Sequence, residues 1–304
     1  RAAGYRLAAM TDFETDRRHA LDQVAAFFDT LLHLPDGPES RLIKAMRYTA
    51  LSEGKGFRPY LAYAAAQLFN VDEGSAIRVA AAVEAVHCYS LIHDDLPAMD
   101  DDDMRRGKPS LHVAFDEATA ILAGDALLTL AFEILADEAT HKEMSKRLEL
   151  VTALARAAGM QGMVGGQMID LQSPQLDLDA GGLTRLQKMK TGALIGFTLE
   201  AGAILGGADE AERHALTGYA HDIGLAFQIA DDVLDVDAKS ADLGKTAGKD
   251  AADGKVTFAS LLGTERARDQ ADLLVKQAIS HLTVFGEAAN GLRQAAEFVI
   301  ARHS

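Results

Sequence analysis

All six prolines of this 304-residue chain fall at or before Pro174, at positions 35, 38, 59, 97, 109 and 174. The last 130 residues therefore carry no ring that would remove an amide donor or clash with a preceding turn, and long uninterrupted helices are allowed there. Apolar residues recur at three- and four-residue intervals in RLIKAMRYTALSEG, IRVAAAVEAVHCYSLIHDD, EATAILAGDALLTLAFEILADEA and GYAHDIGLAFQIADDVLDV, while alternating β-branched runs are nearly absent. The pattern predicts an all-α protein. Breaks are expected at the Pro-Asp-Gly-Pro turn of residues 35–38, at Glu53-Gly54, near Asn70, and over residues 97–109, 172–182 and 237–255. None of these is long or low in complexity, so residues 1–304 read as one domain. The apolar stretch from Thr191 to Ala208 has Glu200 at its middle. It reads as a buried core helix and not as a membrane span, which needs about 20 apolar residues without a central charge.

Composition narrows the function classes. With 45 acidic and 30 basic side chains the net charge is −15, which argues against a nucleic-acid partner, because the chain as a whole is repelled by phosphate. Cys88, the only cysteine, excludes an intrachain disulfide and a thiolate zinc site, and fits a reducing, cytoplasmic compartment. The opening RAAGYRLAAM lacks the apolar core of a signal peptide, and a start at Arg1 leaves removal of an upstream segment open.

Two acid-rich helix ends carry the chemistry. In LIHDDLPAMDDDDMRRGKPS, six carboxylates fall within ten residues, from Asp94 and Asp95 to Asp100–Asp103. Such a run repels itself unless cations neutralise it, so it reads either as a site for hard divalent ions or as a solvated acidic loop. Here the first two aspartates end a strongly apolar helix, and Pro97 breaks it where they sit, which lets Asp94 and Asp100 converge on one ion. The second cluster, FQIADDVLDV, places Asp231 and Asp235 four apart on one helical face, with Asp232 beside them. Two carboxylate helices facing each other across a cavity suit Mg²⁺, which favours a few carboxylates plus substrate phosphates over an all-protein cage.

Cations beside these acids point to a polyanionic ligand. In GKGFRPYLAYAAAQLF, Pro59 is suited to be the first residue of a helix, which sets Lys55 and Arg58 at an N-terminus where free amides already favour an anion. Arg105 and Arg106 follow the acid run directly. His87 lies seven residues before Asp94 on the same helical face, a position shared by ligand histidines and by satisfied core histidines. Lys190-Thr191 opens the later apolar helix, and Lys245, Lys249 and Lys255 follow the second cluster in a glycine-rich loop that reads either as a closing lid or as solvated chain. Gly165-Gly166 reads equally as a functional turn or as close helix packing.

With these residues in view, the chain resembles the trans-prenyltransferases of the polyprenyl diphosphate synthase family, and their bacterial farnesyl-forming branch is the nearest pattern. GKGFRP resembles the family's Gly-Lys-x-x-Arg-Pro, DDLPAMD its first aspartate-rich motif and DDVLD its second. The resemblance implies a bundle of long helices around a deep central cavity, the isoprenoid synthase type, as a homodimer with no membrane span. It implies that Asp94, Asp100 and Asp231 are the principal Mg²⁺ ligands, with Asp95 and Asp235 close by and three ions per substrate-loaded site. It assigns Arg105, Lys190 and Lys245 to the allylic diphosphate, Lys55, Arg58, His87 and Arg106 to isopentenyl diphosphate, Thr191 and Gln228 to the reacting end, and Lys255 to the late loop lysine. Tyr89 and Ser90 would floor the cavity, the aromatic Tyr89 favouring the fifteen-carbon product, farnesyl diphosphate, over geranylgeranyl diphosphate. A metal-dependent phosphohydrolase built on His93-Asp94 and His221-Asp222, a terpene cyclase, and a Ca²⁺-binding protein are the competing readings. The hydrolase and cyclase leave Lys55 and Arg58 unused, and a calcium loop starting at Asp235 has Ser240 and Thr246 where glycine and glutamate belong.

Overall fold

The computed structural model describes residues 13–52, 54–241 and 256–301. Helices α1 (Phe13–Leu31), α2 (Ser40–Ala50), α3 (Phe57–Leu68) and α4 (Glu73–Asp94) are followed by two-residue strands β1 (Met104–Arg105) and β2 (Lys108–Pro109). Then come α5 (Leu111–Ala114), α6 (Glu117–Ala136), α7 (Met144–Ala158), α8 (Met163–Gln172), α9 (Ala180–Gln187), α10 (Ala193–Gly206) and α11 (Glu210–Ala241). Beyond residue 255 lie α12 (Phe258–Leu262), α13 (Thr264–His281) and α14 (Asn290–Ala301). The all-α expectation is met. The helices break at the 35–38 turn, at residues 95–103 and at Asn70, which takes a positive φ. The break expected from residue 237 starts later, since α11 continues to Ala241: Lys239 and Ser240 are compatible with helix, and no proline stops it.

Helix starts follow local chemistry. Asp72 caps α4, its Oδ1 accepting from the Ser75 amide at 2.9 Å, and Asp116 caps α6 by accepting from the Thr119 amide at 2.7 Å. Pro59 falls in the third position of α3 and not the first, because the helix begins at Phe57 after a left-handed Gly56. All of the first four amides of a helix lack an intrahelical partner, so proline is tolerated throughout that turn. The β1–β2 hairpin departs from the all-α expectation. Its register pairs Met104 with Pro109 and Arg105 with Lys108, and both turn residues, Arg106 and Gly107, take positive φ. That geometry matches the twist of a two-residue hairpin, and it sends Arg105 and Arg106 to different partners.

Two apolar clusters form the core. One gathers α4 with parts of α2, α6, α7 and α10, and the other gathers α3, α10, α11, α13 and α14. Helix α4 is apolar on nearly every side and is buried accordingly, from Ser75 through Cys88 almost without interruption. Both α4 and α6 are long and apolar enough by composition to cross a membrane, but 72% of the most apolar window of α4 is already covered inside this fold, as a core helix requires. Glu200 lies within α10 as expected, and burial raises its pKa. The acid-bearing stretches of α4 and α11 lie on helices that belong to different clusters.

Helix α10 approaches α3 very closely at Gly202, where a Cβ would stand 2.6 Å from the backbone carbon of Ala65. Intrinsic propensity alone favours alanine over a mid-helix glycine by about 1 kcal/mol. The clash is with main chain, which cannot rotate away. Gly202→Ala is therefore expected to destabilise the fold by about 1–3 kcal/mol in a thermal or urea titration, against the gain that propensity alone gives.

Candidate active site

Two adjoining cavities open beside α4. The larger, of about 740 Å³, is lined by Lys55, Arg58, Glu84, His87, Arg105, Arg106, Thr191, Gln228 and Asp231, with Phe57 and Phe227 stacked at 5.3 Å on its wall. The second, of about 460 Å³, is mostly apolar and is lined by Tyr89, Ser90, Leu96, Met99, Met163, Met168 and Leu194, with Asp94 and Lys190 among its polar groups. Arg58, His87, Leu91 and Thr191 line both, so the two chambers share a wall. The first is cationic and the second is an apolar sleeve with a carboxylate at its edge.

The break at Pro97 does what the spacing requires. After α4 ends, the chain reverses and the Asp100 amide donates to the Asp94 carbonyl at 2.9 Å, while the Asp102 amide donates to the Asp95 carbonyl at 3.2 Å. Asp94 is thereby set beside Asp100, and its pKa is pushed up to about 6, first by burial and then by the neighbouring Asp100 charge, with Lys190 and Arg105 opposing. Asp95 turns the other way. It is buried, and Arg105 Nε donates to its Oδ1 at 2.9 Å, so it is committed to positioning Arg105 and lines neither chamber. Burial opposes the Arg105 charge, but the Asp95 contact outweighs it and raises the guanidinium pKa.

Arg106, turned back by its positive φ, lies against Gly54, with Nη2 donating to His87 Nε2 at 3.3 Å and Nη1 to Ser52 Oγ at 3.4 Å. Burial and then the Arg58, Arg106 and Arg105 charges hold His87 well below the usual imidazole range, so it is neutral. Arg58 is half-buried and lines both chambers, and its Nε, enclosed by protein, finds no hydrogen-bond partner among the described residues. A guanidinium on a chamber wall suits an anion. The Lys55 carbonyl accepts from Arg17, which ties the Gly-Lys-Gly loop to α1.

On the opposite wall, α9 passes into α10 through a π-helical turn, Lys188–Gly192. Gly166 of α8 packs on it so closely that a Cβ would stand 2.2 Å from the Lys190 amide, which is the close-packing reading of the Gly165-Gly166 pair. The widened turn aims Lys190 Nζ at Asp170 Oδ2, 2.5 Å away, and Thr191 Oγ1 at Gln228 Oε1, 3.4 Å away. Asp231 and Asp235 share a face of α11, and Asp231 lines the cationic chamber; burial lowers the Arg58 pKa, and the Glu84 and then the Asp231 charge oppose it. Asp100 and Asp235 line neither chamber. Asp232 points elsewhere, accepting from Gln228 Nε2 at 2.9 Å and from the Phe258 amide at 2.8 Å, which fastens the start of α12. Lys245, Lys249 and Lys255 lie outside the described residues.

Sequence reasoning passed over Glu84 and met Asp170 only as the end of the run that starts at Gly165-Gly166. Each is an acid alone in an apolar helical run, and that isolation was the available signal. The His-Asp pairs do not converge. His93 Nε2 is 3.1 Å from the Ile121 carbonyl, and Asp222 sits between His221 and His281 at 3.1 and 3.2 Å, lining neither chamber. Among the described residues no three acidic, histidine or cysteine side chains stand ready to hold a metal ion unaided.

An all-helical cage with a cationic chamber abutting an apolar sleeve edged by aspartates defines a protein that handles diphosphates of apolar chains. Residues 39–289 match the model of the polyprenyl synthetase family, and the chain belongs to that family. It is 46% identical over 269 residues to the farnesyl diphosphate synthase of Escherichia coli, covering 86% of this chain and 89% of that one. It is also 46% identical to the chloroplastic geranylgeranyl pyrophosphate synthase 11 of Arabidopsis thaliana, over 86% of this chain and 74% of that one. A crystal structure of an FPP/GFPP synthase from Zymomonas mobilis, 50% identical, superposes with a TM-score of 0.87 over 95% of this chain and 98% of that one.

The raised Asp94 pKa has a stability consequence in metal-free protein. Its folded value, about 6, lies above the model carboxylate value of 3.8, so its charge costs stability; the cost is absent below about pH 4, grows between the two values and is complete above about 6. In chelator, Asp94→Asn is expected to be more stable than the parent by about 1–3 kcal/mol at pH 7.5, converging with it near pH 4 in parallel denaturation curves. Equal stability at pH 7.5 would contradict the assigned environment of Asp94.

Proposed function

We propose that the chain catalyses the head-to-tail (1′–4) condensation of isopentenyl diphosphate with dimethylallyl or geranyl diphosphate to give farnesyl diphosphate. The observation that carries this reading is the shared wall. A chamber lined by cations adjoins an apolar sleeve with Asp94 at its edge, so two diphosphate substrates can meet with their carbon ends together. The likeness to proteins named farnesyl diphosphate synthase supports the same reading.

The donor set fits Mg²⁺: hard carboxylate oxygens, one of them, on Asp94, with a charge that burial leaves in need of a cation. Asp94, Asp100 and Asp231 are the principal ligands in this reading, with Asp95 and Asp235 in support, and three ions bind with the allylic substrate. When bound, the metal supplies Lewis-acid stabilisation of the diphosphate that departs. Arg105, Lys190 and Lys245 hold that diphosphate, Lys190 moving from Asp170 to do so. Lys55, Arg58, His87 and Arg106 hold isopentenyl diphosphate, and Thr191 and Gln228 border the reacting carbons. The allylic C1–O bond breaks with its electron pair leaving on the diphosphate, the double bond of isopentenyl diphosphate attacks C1, and a proton is lost from C2. The departed diphosphate takes the proton, and no side chain is assigned that role. The apolar lining keeps water from the cation.

Tyr89 sets product length. It stands in edge contact with His93, ring centroids 4.9 Å apart, and narrows the sleeve beside Ser90, which favours fifteen carbons over twenty. Tyr89→Ala is expected to shift the alcohols recovered after dephosphorylation from farnesol toward geranylgeraniol by gas chromatography and mass spectrometry, and an unchanged ratio would remove Tyr89 from the floor. With the parent protein, Mg²⁺ and both substrates, farnesol is the expected main product. Asp231→Ala should lower kcat by on the order of 10³-fold, the scale of losing one preorganised stabiliser of transition-state charge.

The same reading makes the chain one catalytic unit over residues 1–304, cytoplasmic, without a membrane span, and a homodimer. Helix α6 supports the last point, because only 39% of its most apolar window is buried, with Ile121 and Leu122 exposed on it and Met144 and Leu148 exposed on neighbouring α7. Leu122→Glu is expected to yield a monomer by light scattering, and a retained dimer would place the interface elsewhere.

A further inference from the structure

Glu84 has no part in the reaction as derived above, yet it is 7% exposed and lines the cationic chamber. Glu84, His87, Cys88 and Leu91 recur at three- and four-residue steps, so they share one face of α4. A buried carboxylate is costly unless charges or donors meet it. Here Arg106 Nη2 stands 3.9 Å from Oε1, the Cys88 thiol donates to the same oxygen at 3.9 Å, and Arg58 acts on it electrostatically. Burial raises the Cys88 pKa well above the ordinary thiol range, so the thiol is a fixed donor and not a nucleophile. The two guanidiniums repel each other across the chamber, and Glu84 and Asp231 are the acids that offset Arg58. Arg106 is held from separate directions by Glu84, His87 and Ser52, with Gly54 leaving room for its guanidinium plane. Glu84 itself does not line the sleeve, where the allylic chain would lie.

We propose that Glu84 is a positioning residue for the diphosphate of isopentenyl diphosphate, holding the Arg58 and Arg106 guanidiniums side by side and aimed into the chamber before substrate arrives. The proposal rests on the assignment of Arg58, His87 and Arg106 to that diphosphate. Neutralising Glu84 has two opposed effects. It removes an anion from beside the bound diphosphate, which tightens binding, and it frees two like charges to move apart, which spoils their paired geometry toward phosphate oxygens. The second effect wins, because both cations remain charged without Glu84, whereas planar guanidinium contacts depend steeply on orientation.

The test is steady-state kinetics with each substrate varied separately, on Glu84→Gln, Glu84→Asp, Arg106→Ala, Arg58→Ala and the Glu84→Gln/Arg106→Ala double variant. Glu84→Gln is nearly isosteric. It is expected to raise KM for isopentenyl diphosphate by on the order of tenfold while leaving KM for geranyl diphosphate within about twofold. Glu84→Asp, which keeps the charge on a shorter stem, should recover part of that loss. In the double variant the two effects should be strongly non-additive, since Glu84 acts through Arg106. A Glu84→Gln protein whose isopentenyl diphosphate KM is unchanged or lower, or whose two KM values rise together with additive effects, would overturn the proposal. Arg58→Ala separates the failures: if it too leaves that KM unchanged, the assignment of the diphosphate to this chamber is wrong.

Discussion

Like charges confined in a low-dielectric seam are the constraint around which the structure is arranged. Carboxylates at the ends of α4 and α11 repel one another, as do the guanidiniums of Arg58 and Arg106, and neither set would stay in place on flexible chain. The carboxylates and Arg58 are therefore anchored to helices whose other faces are buried in one of two apolar clusters, and Arg106 is held in the hairpin turn by its contacts to His87, Glu84 and Ser52. The burial of α4 from Ser75 to Cys88 fixes Glu84, His87 and Asp94 along one rigid rod. The strain of concentrated charge is borne by packing.

Cross-pairing of the two charge sets makes their crowding tolerable. Asp95 holds Arg105, Asp170 holds Lys190, and Glu84 and Asp231 offset Arg58. These pairs divide into two kinds. Lys190 is itself a candidate phosphate ligand whose acid partner can release it, whereas Glu84 and Asp95 sit behind the cations they orient. The acids of the site thus divide between gathering metal ions and aiming cations, and net charge or motif spelling does not distinguish the two tasks. Asp232 illustrates the point from the other side: it stands inside DDVLD, yet its oxygens accept from Gln228 and from the amide that starts α12.

Much of the fold was legible because helix periodicity and proline placement are local signals. The runs at 77–95, 117–139 and 218–236 became α4, α6 and the middle of α11, and the breaks at Pro35-Pro38 and Pro97 fell where a ring forbids helix. The β1–β2 hairpin was not legible. Its strands are two residues long, and its turn needs Arg106 in a left-handed conformation that the neighbouring fold imposes and its own side chain disfavours. The helix start at Phe57 was likewise set by Gly56 and the loop tied to Arg17, so Pro59 alone misdirected the boundary.

The sequence by itself determined the helical class, the positions of the acid runs and the basic pairs, and hence a diphosphate chemistry, because residue type and spacing along one helix decide which groups share a face. Only the tertiary structure decided which acid serves which purpose. The pairing of Arg58 with Asp231, the pairing of Lys190 with Asp170, and the placement of Glu84 beside Arg106 join residues distant in the chain. Their partners are set by how α4, α8, α10 and α11 pack, and burial then fixes what each charge does.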